Sequence, residues 1–289
     1  MRWTPRRTII IASSAALLTA CRQRPVPNQV LTKPAPVTRP APEVRNAGPW
    51  VYRPATMPQH LVIDDRAVVT VGLDTAARID TLTSHAEVSF ASTPVPRGVS
   101  GTVAAFLVGS DGRATTTPAG LHVPFSFSAN YGDAGVQLAY TAPRDGTPCS
   151  SMELAAMQSL RDLWFEPPDT LRVGSTWSDS ASYVTCRDGI PLRSVVRRMF
   201  HISSAAVRDG RLLISIERLS RTRIDGHGTQ FGDSVSVSGS SNGLLTYDFD
   251  PALGEVTSAS GSNTLELSLR GTRRMEIVRQ AAEIRIGRS

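Results

Sequence analysis

Cys149–Cys186, CSSMELAAMQSLRDLWFEPPDTLRVGSTWSDSASYVTC, is the stretch of this chain in which a helical apolar pattern runs directly into a strand pattern, with a cysteine at each end. Ser150 and Glu153 have the Ser-x-x-Glu spacing of a capping box just before the apolar run. At about 100° per residue, Leu154, Ala156, Met157, Leu160, Leu163 and Trp164 fall on one half of a helical wheel. Ala155, Gln158, Ser159 and Asp162 fall on the other half. The spacing predicts an amphipathic helix that lays one face on a sheet. Pro167 and Pro168 end it, because neither can donate to a helix and each restricts its predecessor. A turn follows at Val173-Gly-Ser-Thr-Trp177. Gly174 suits a backbone conformation that most residues would strain, and Trp177 is a large anchor whose indole N–H needs a partner.

Outward from this stretch the chain alternates apolar and polar residues between Gly, Pro, Asp and Asn breaks. Before it, His60–Leu73, Ile79–Ala91, Thr102–Val108, Pro124–Asn130 and Val136–Thr141 read as half-buried antiparallel strands. After it come Thr176–Cys186, Arg193–Ser203 and Arg211–Ile224. Alternating apolar residues then mark further strands: Val235 and Val237; Leu245, Tyr247 and Phe249; Leu265, Leu267 and Leu269; Ile284 and Ile286. Turn chemistry appears at Arg208-Asp-Gly, Ser241-Asn-Gly and Asp250-Pro-Ala-Leu-Gly254. The expectation is a mainly β (α+β) protein, a large curved or barrel-like antiparallel sheet packed on one main amphipathic helix. Residues 50–289 form it as a single domain, with a division near residue 145 as the alternative.

The N-terminus reads as an address. MRWTPRRTIIIASSAALLTAC has a basic segment with Arg2, Arg6 and Arg7, an apolar segment from Ile9 to about Leu18, and small residues after it. Leu18-Thr19-Ala20-Cys21 resembles the lipobox of bacterial lipoproteins. That resemblance implies a signal peptide over residues 1–20, cleavage before Cys21, and lipidation of Cys21 as a membrane anchor. Residues 22–49 contain seven prolines and few large apolar side chains, so 21–49 reads as a lipidated, extended and disordered tether. Arg22 stands where some lipoproteins carry an inner-membrane retention aspartate. This leans towards the periplasm-facing leaflet of the outer membrane. With Cys21 so assigned, Cys149 and Cys186 remain as an even pair in an exported chain, which points to a disulfide. A metal pair is the rival reading, but no third and fourth ligand lies close in sequence.

Charge argues against nucleic acid. The formal charge is +6, yet eight of the 31 basic residues and one of the 25 acids lie before Trp50, which leaves 23 basic against 24 acidic residues. No catalytic, cofactor or metal pattern emerges. Gly239-Ser-Ser-Asn-Gly243 matches G-x-S-x-G at Ser241, but strand-like sequence on both sides suggests a hairpin turn rather than a nucleophile elbow. His60, His85, His122, His201 and His227 lack zinc spacing, and Gly226-His-Gly228 opens no helix. Asp248, Asp250 and Glu255 do not form a calcium loop pattern.

Val-Gly-x-x-Trp leading into a strand also resembles a motif of β-rich bacterial lipoproteins of uncharacterised function, and carries no catalytic residue across. The broad plan resembles lipoprotein-carrier and outer-membrane receptor families. The resulting expectation is a non-enzymatic envelope lipoprotein that binds a hydrophobic ligand or an envelope protein partner, or serves a structural role. The apolar face Leu154, Met157, Leu160 and Trp164 is the candidate ligand face, with plain core as the competing role. An envelope hydrolase using scattered Asp, Ser and His is the alternative.

Overall fold

The computed structural model describes residues 48–289, apart from 56, 74–75, 95–96, 111–113, 133–134, 141–148, 150–151, 161–162, 188, 209, 231 and 273–274, and apart from the side chains of 73, 76, 135–140, 154–155 and 158–159. The stretch read as a signal peptide and almost all of that read as a tether, Cys21 included, lie outside the described residues, as does Ser150 of the predicted capping box.

Two short strands, β1 (Trp50–Val51) and β7 (Thr170–Leu171), pair with each other. The other eleven form one antiparallel sheet: β2 (Gln59–Leu73), β3 (Ala76–Pro94), β4 (Arg97–Ser110), β5 (Phe125–Gly132), β6 (Gly135–Tyr140), β8 (Thr176–Arg187), β9 (Ile190–Arg208), β10 (Arg211–Gln230), β11 (Asp233–Asp250), β12 (Glu255–Gly271) and β13 (Met275–Arg288). Their order is β6-β5-β4-β3-β2-β13-β12-β11-β10-β9-β8. The protein is thus mainly β, with a large curved antiparallel sheet like half of a barrel. Segments on both sides of residue 145 belong to this sheet, because β13 pairs with β2 at its centre.

The sheet edges are β6 and β8, and they come alongside one another. Cys149 lies on the connection leaving β6, and Cys186 lies near the end of β8. Their disulfide, with Cα atoms 5.1 Å apart, joins one edge to the other. Closing a loop with a sequence separation of 37 residues removes roughly 4 kcal/mol of unfolded-chain entropy.

Alternation, the signal that suggested strands, also defines the inner face. Along β9 the buried residues Leu192, Ser194, Val196, Arg198, Phe200 and Ile202 alternate with exposed or half-buried ones. Cross-strand register carries this parity onward, from Phe200 to Arg218, Leu245 and Gly261. Bulges at Glu87/Val88, Ser215/Ile216 and Asp248/Phe249 shift the register locally and bend the sheet. The hairpin turn expected at Ser241 does not exist: Asp233–Asp250 is one continuous strand with Ser241 opposite Thr222 and Leu265. Asn and Gly there signal a turn only without long neighbours on both sides, and here β10 and β12 supply pairing along the whole length. Gly226-His-Gly228 likewise lies within β10.

The expected packing on one main amphipathic helix needs correction. Helix α1 (Met152–Leu160) has only nine residues, and Leu163 and Trp164 lie beyond its end. The interior of the sheet is filled by Ala156, Met157 and Leu160 of this short helix together with Leu163, Trp164 and Phe165 of the non-helical segment beyond it. In that segment neighbouring side chains can point opposite ways, and Trp164 and Phe165 do so. Trp164 packs on Phe127 (4.9 Å between ring centroids) and Phe90 (6.2 Å), on β5 and β3. Phe165 packs on Tyr247 (4.9 Å) and Phe200 (5.3 Å), on β11 and β9. A helix would have placed these consecutive residues about 100° apart, unable to reach facing walls.

Candidate functional site

The inner face of the sheet carries two apolar clusters. In the larger, Met157, Leu160, Leu163, Trp164, Phe165 and Leu171 fill the space between Phe90, Phe127, Phe200, Tyr247 and Ile286. In the smaller, Val69, Ile190, Leu192, Val237, Leu267 and Val278 pack on one another, and no described residue of the 152–171 segment joins them. Between the two clusters runs a band of small and polar residues. One register row reads Arg198, Ser220, Gly243, Asn263, Ala282 and Ala67. The rows on either side add Arg218, Gly261 and Asp65, and Thr222, Ser241 and Gln280. Ser220, Ser241, Gly243, Gly261 and Asn263 are only half-buried, whereas the flanking clusters are closed.

Three oxygens in this polar waist are buried and have no hydrogen-bond partner among the described residues: Asp65 Oδ1, Asn263 Oδ1 and Gln280 Oε1. Each loses water without gaining a protein donor, which costs roughly 1–3 kcal/mol per group. Burial pushes the Asp65 carboxyl up from 3.8 to about 6, only partly opposed by a backbone hydrogen bond from Arg66. Below about pH 6 this side chain is neutral and also donates. The waist therefore offers acceptor oxygens, flanked by hydrocarbon, to a molecule that brings its own N–H or O–H donors.

Two buried cations border the waist, Arg198 and Arg218. Arg198 donates from Nε to Asp179 Oδ1 (2.7 Å), from Nη2 to the other carboxylate oxygen, and from Nη1 to the Trp164 carbonyl (2.9 Å). Its guanidinium lies 5.5 Å from the Phe200 ring centroid. Arg198 thus bolts the backbone of the filling segment to β8 and β9. Arg218 packs over Tyr247, 6.0 Å from the ring centroid.

Of the ligand face read from the sequence, Met157, Leu160 and Trp164 are buried in the larger cluster, and the side chain of Leu154 lies outside the described residues. Gly174 has the left-handed backbone that its turn requires (φ +87°), and its N–H donates to the Ile202 carbonyl (2.8 Å). Trp177 stacks on Phe200 at 4.9 Å, but its indole N–H has no partner among the described residues. Glu153 accepts from the backbone N–H of His122 (3.3 Å), so it ties the start of α1 to the loop before β5. The acids considered for calcium have other work. Asp248 accepts from Arg208 and Ser258 (3.1 Å each), Asp250 caps the N–H groups of Ala252 and Leu253, and Glu255 pairs with Arg288. Among the described residues no cluster of His, Cys, Asp or Glu is arranged to hold a metal.

Sequence reasoning missed Asp65, Asn263 and Gln280. Their signal is a polar residue at an apolar beat of a strand: Leu61-x-Ile63-x-Asp65-x-Ala67, Asn263-x-Leu265-x-Leu267, and Val278-x-Gln280-x-Ala282. No protein-family model matches the chain, and no curated protein matches it.

Proposed function

We propose that the protein is a non-enzymatic envelope lipoprotein, anchored through lipidated Cys21 in the periplasm-facing leaflet of the outer membrane. In this reading its sheet holds a hydrophobic ligand with a hydrogen-bond-donating head. The observation that carries the reading is the polar waist. Three unpartnered acceptor oxygens lie between two apolar clusters, which is the pattern an amphiphile would complement: donors onto Asp65, Asn263 and Gln280, hydrocarbon along the flanking apolar side chains. The leader sequence, with Leu18-Thr19-Ala20-Cys21 after an apolar segment, supports the anchor.

Two measurements test it. Purified protein is extracted with organic solvent and the extract analysed by mass spectrometry. A co-purifying amphiphile, lost when Asn263→Leu and Gln280→Leu are combined, is the expected result. A clean extract from the unsubstituted protein sinks the ligand reading. Cys21→Ala should move the protein from the membrane fraction to the soluble fraction; retention in the membrane sinks the anchor. A structural role is the second reading, favoured by how completely the sheet encloses Met157 and Trp164.

A further inference from the structure

The outer face of the sheet carries a feature that neither the waist nor the disulfide accounts for. Met199 on β9, Leu219 on β10 and Leu244 on β11 are directly opposite one another in register. They are 62 %, 54 % and 46 % exposed, on three adjacent strands. At about 4.8 Å between strands they form an apolar row roughly 10 Å long. The next outward-facing row along β9 and β10 is Arg197 beside Arg221, and Arg223 and Arg193 follow along the same strands. All four arginines are exposed, and among the described residues none of their side chains makes a hydrogen bond or ion pair. Two acids on β10 stand at the margins, Glu217 beyond the apolar row, near His201, and Asp225 opposite Arg193. Further out, Glu266 on β12 lies in the row of Arg223 but pairs with Arg279, and Asp248 on β11 pairs with Arg208.

An apolar row with unpaired arginines along one side is the arrangement of an interfacial membrane-binding face. Such a face suits a soft partner. It lies on the outer side of a curved sheet and offers protruding alkyl chains rather than a pocket. The planar fork of each exposed guanidinium suits the oxygens of a phosphate. We infer that this face of β9, β10 and β11 docks on an anionic lipid surface, with Met199, Leu219 and Leu244 entering the headgroup layer and Arg197, Arg221, Arg223 and Arg193 binding lipid phosphates. The inference does not rest on the lipid anchor or on the waist, since it concerns a different face and needs no acyl chain.

The test uses full-length protein carrying Cys21→Ser, so that no attached lipid contributes, and vesicles of phosphatidylcholine with and without phosphatidylglycerol. Leu219→Trp, read as a difference from the same chain without it, reports the environment of the apolar row. The expected result is a blue shift of emission with phosphatidylglycerol vesicles, absent with phosphatidylcholine alone and abolished by high salt. Replacing Arg197, Arg221 and Arg223 together by Gln should weaken binding by roughly a hundredfold, at about fivefold for each arginine. These side chains are exposed, and an unchanged melting curve confirms that the variants fold. A shift of equal size without phosphatidylglycerol, no shift at all, or a shift that survives the arginine replacements overturns the inference. Concentration-dependent self-association without vesicles, lost in Met199→Ser with Leu219→Ser, assigns the face to a second copy of the chain and also overturns it.

Discussion

Asp65→Asn should stabilise the protein near pH 8 and do nothing near pH 3. Asp65 lies on the inner face of β2, opposite Ser84 and Ile284, and burial raises its carboxyl from 3.8 to about 6. In the unfolded chain it ionises near 3.8. Below that value both states are protonated, and the folded protein carries no penalty. As pH rises from about 4 to 6 the unfolded state releases its proton and the folded state does not, so stability falls through that window and levels off above it. A difference of about two pH units corresponds to about 3 kcal/mol. Asp65 keeps some contact with water, which screens the charge, so about 1–2 kcal/mol is the effect expected at pH 8. Asparagine copies the shape of the neutral acid and removes the penalty. Urea unfolding of both proteins at about pH 3, 5 and 8 measures it, since other titrating groups cancel in the difference. An equal gain at all three values, or a loss at pH 8, refutes the reasoning: the carboxylate would then have a compensating partner when folded.

Cys149→Ser and Cys186→Ser should each cost roughly 4 kcal/mol, and the double variant little more than either, in thermal or urea unfolding; additive losses would mean that the cysteines act separately. Trp164→Ala should cost about 3–5 kcal/mol, because the indole packs on Phe90 of β3 and Phe127 of β5 with almost no exposure; a loss below about 1 kcal/mol would show that the interior collapses around it. His85 hydrogen-bonds to Asp64 (2.8 Å) and so titrates above its ordinary 6.5. The stabilisation from its cation is therefore present below about pH 6.5 and lost as pH rises through the raised value. An NMR titration should show Asp64→Asn moving the midpoint back towards 6.5, and an unchanged midpoint would discount the pair.

Most strands were legible because one face of a sheet is buried and the other is wet, and that writes a period of two into the chain. β2 and β8 follow from it almost residue by residue; β3 runs about three residues further at each end than its alternation suggests, and of β13 only Ile284 and Ile286 were marked. β11 was harder. Its middle, Gly239 to Gly243, has no apolar residue, and Asn242-Gly243 carries turn chemistry. Pairing to β10 on one side and β12 on the other overrides that local preference, and only the register of neighbouring strands shows it. The segment after α1 failed for the opposite reason. Leu160, Leu163 and Trp164 satisfy helical spacing, so periodicity extends the helix through them. Yet Trp164 and Phe165 are adjacent aromatic residues that must both be buried, and a helix can turn only one of them squarely to the sheet. The irregular segment that reaches both walls is a tertiary solution with no local signature.

The polar waist was missed because a strand pattern is read for its agreement and not for its exceptions. Asp65, Asn263, Gln280, Arg198 and Arg218 each interrupt an otherwise apolar beat, and on a single strand each looks like noise. The sheet brings them into neighbouring rows, and their fates then diverge. Arg198 is held by Asp179 and the Trp164 carbonyl, so its burial is compensated and it acts as a fixture of the fold. Asp65, Asn263 and Gln280 have no such compensation on the oxygens named above. A core built only for stability would favour apolar residues there, since unsatisfied buried acceptors cost free energy that packing does not return. Their position therefore separates the two readings of the sheet. If Asn263→Leu with Gln280→Leu raises the melting temperature and empties the solvent extract of its amphiphile, the waist trades stability for binding. If it raises the melting temperature and the extract never held a ligand, the sheet is a scaffold, and its outer face carries whatever function the domain performs.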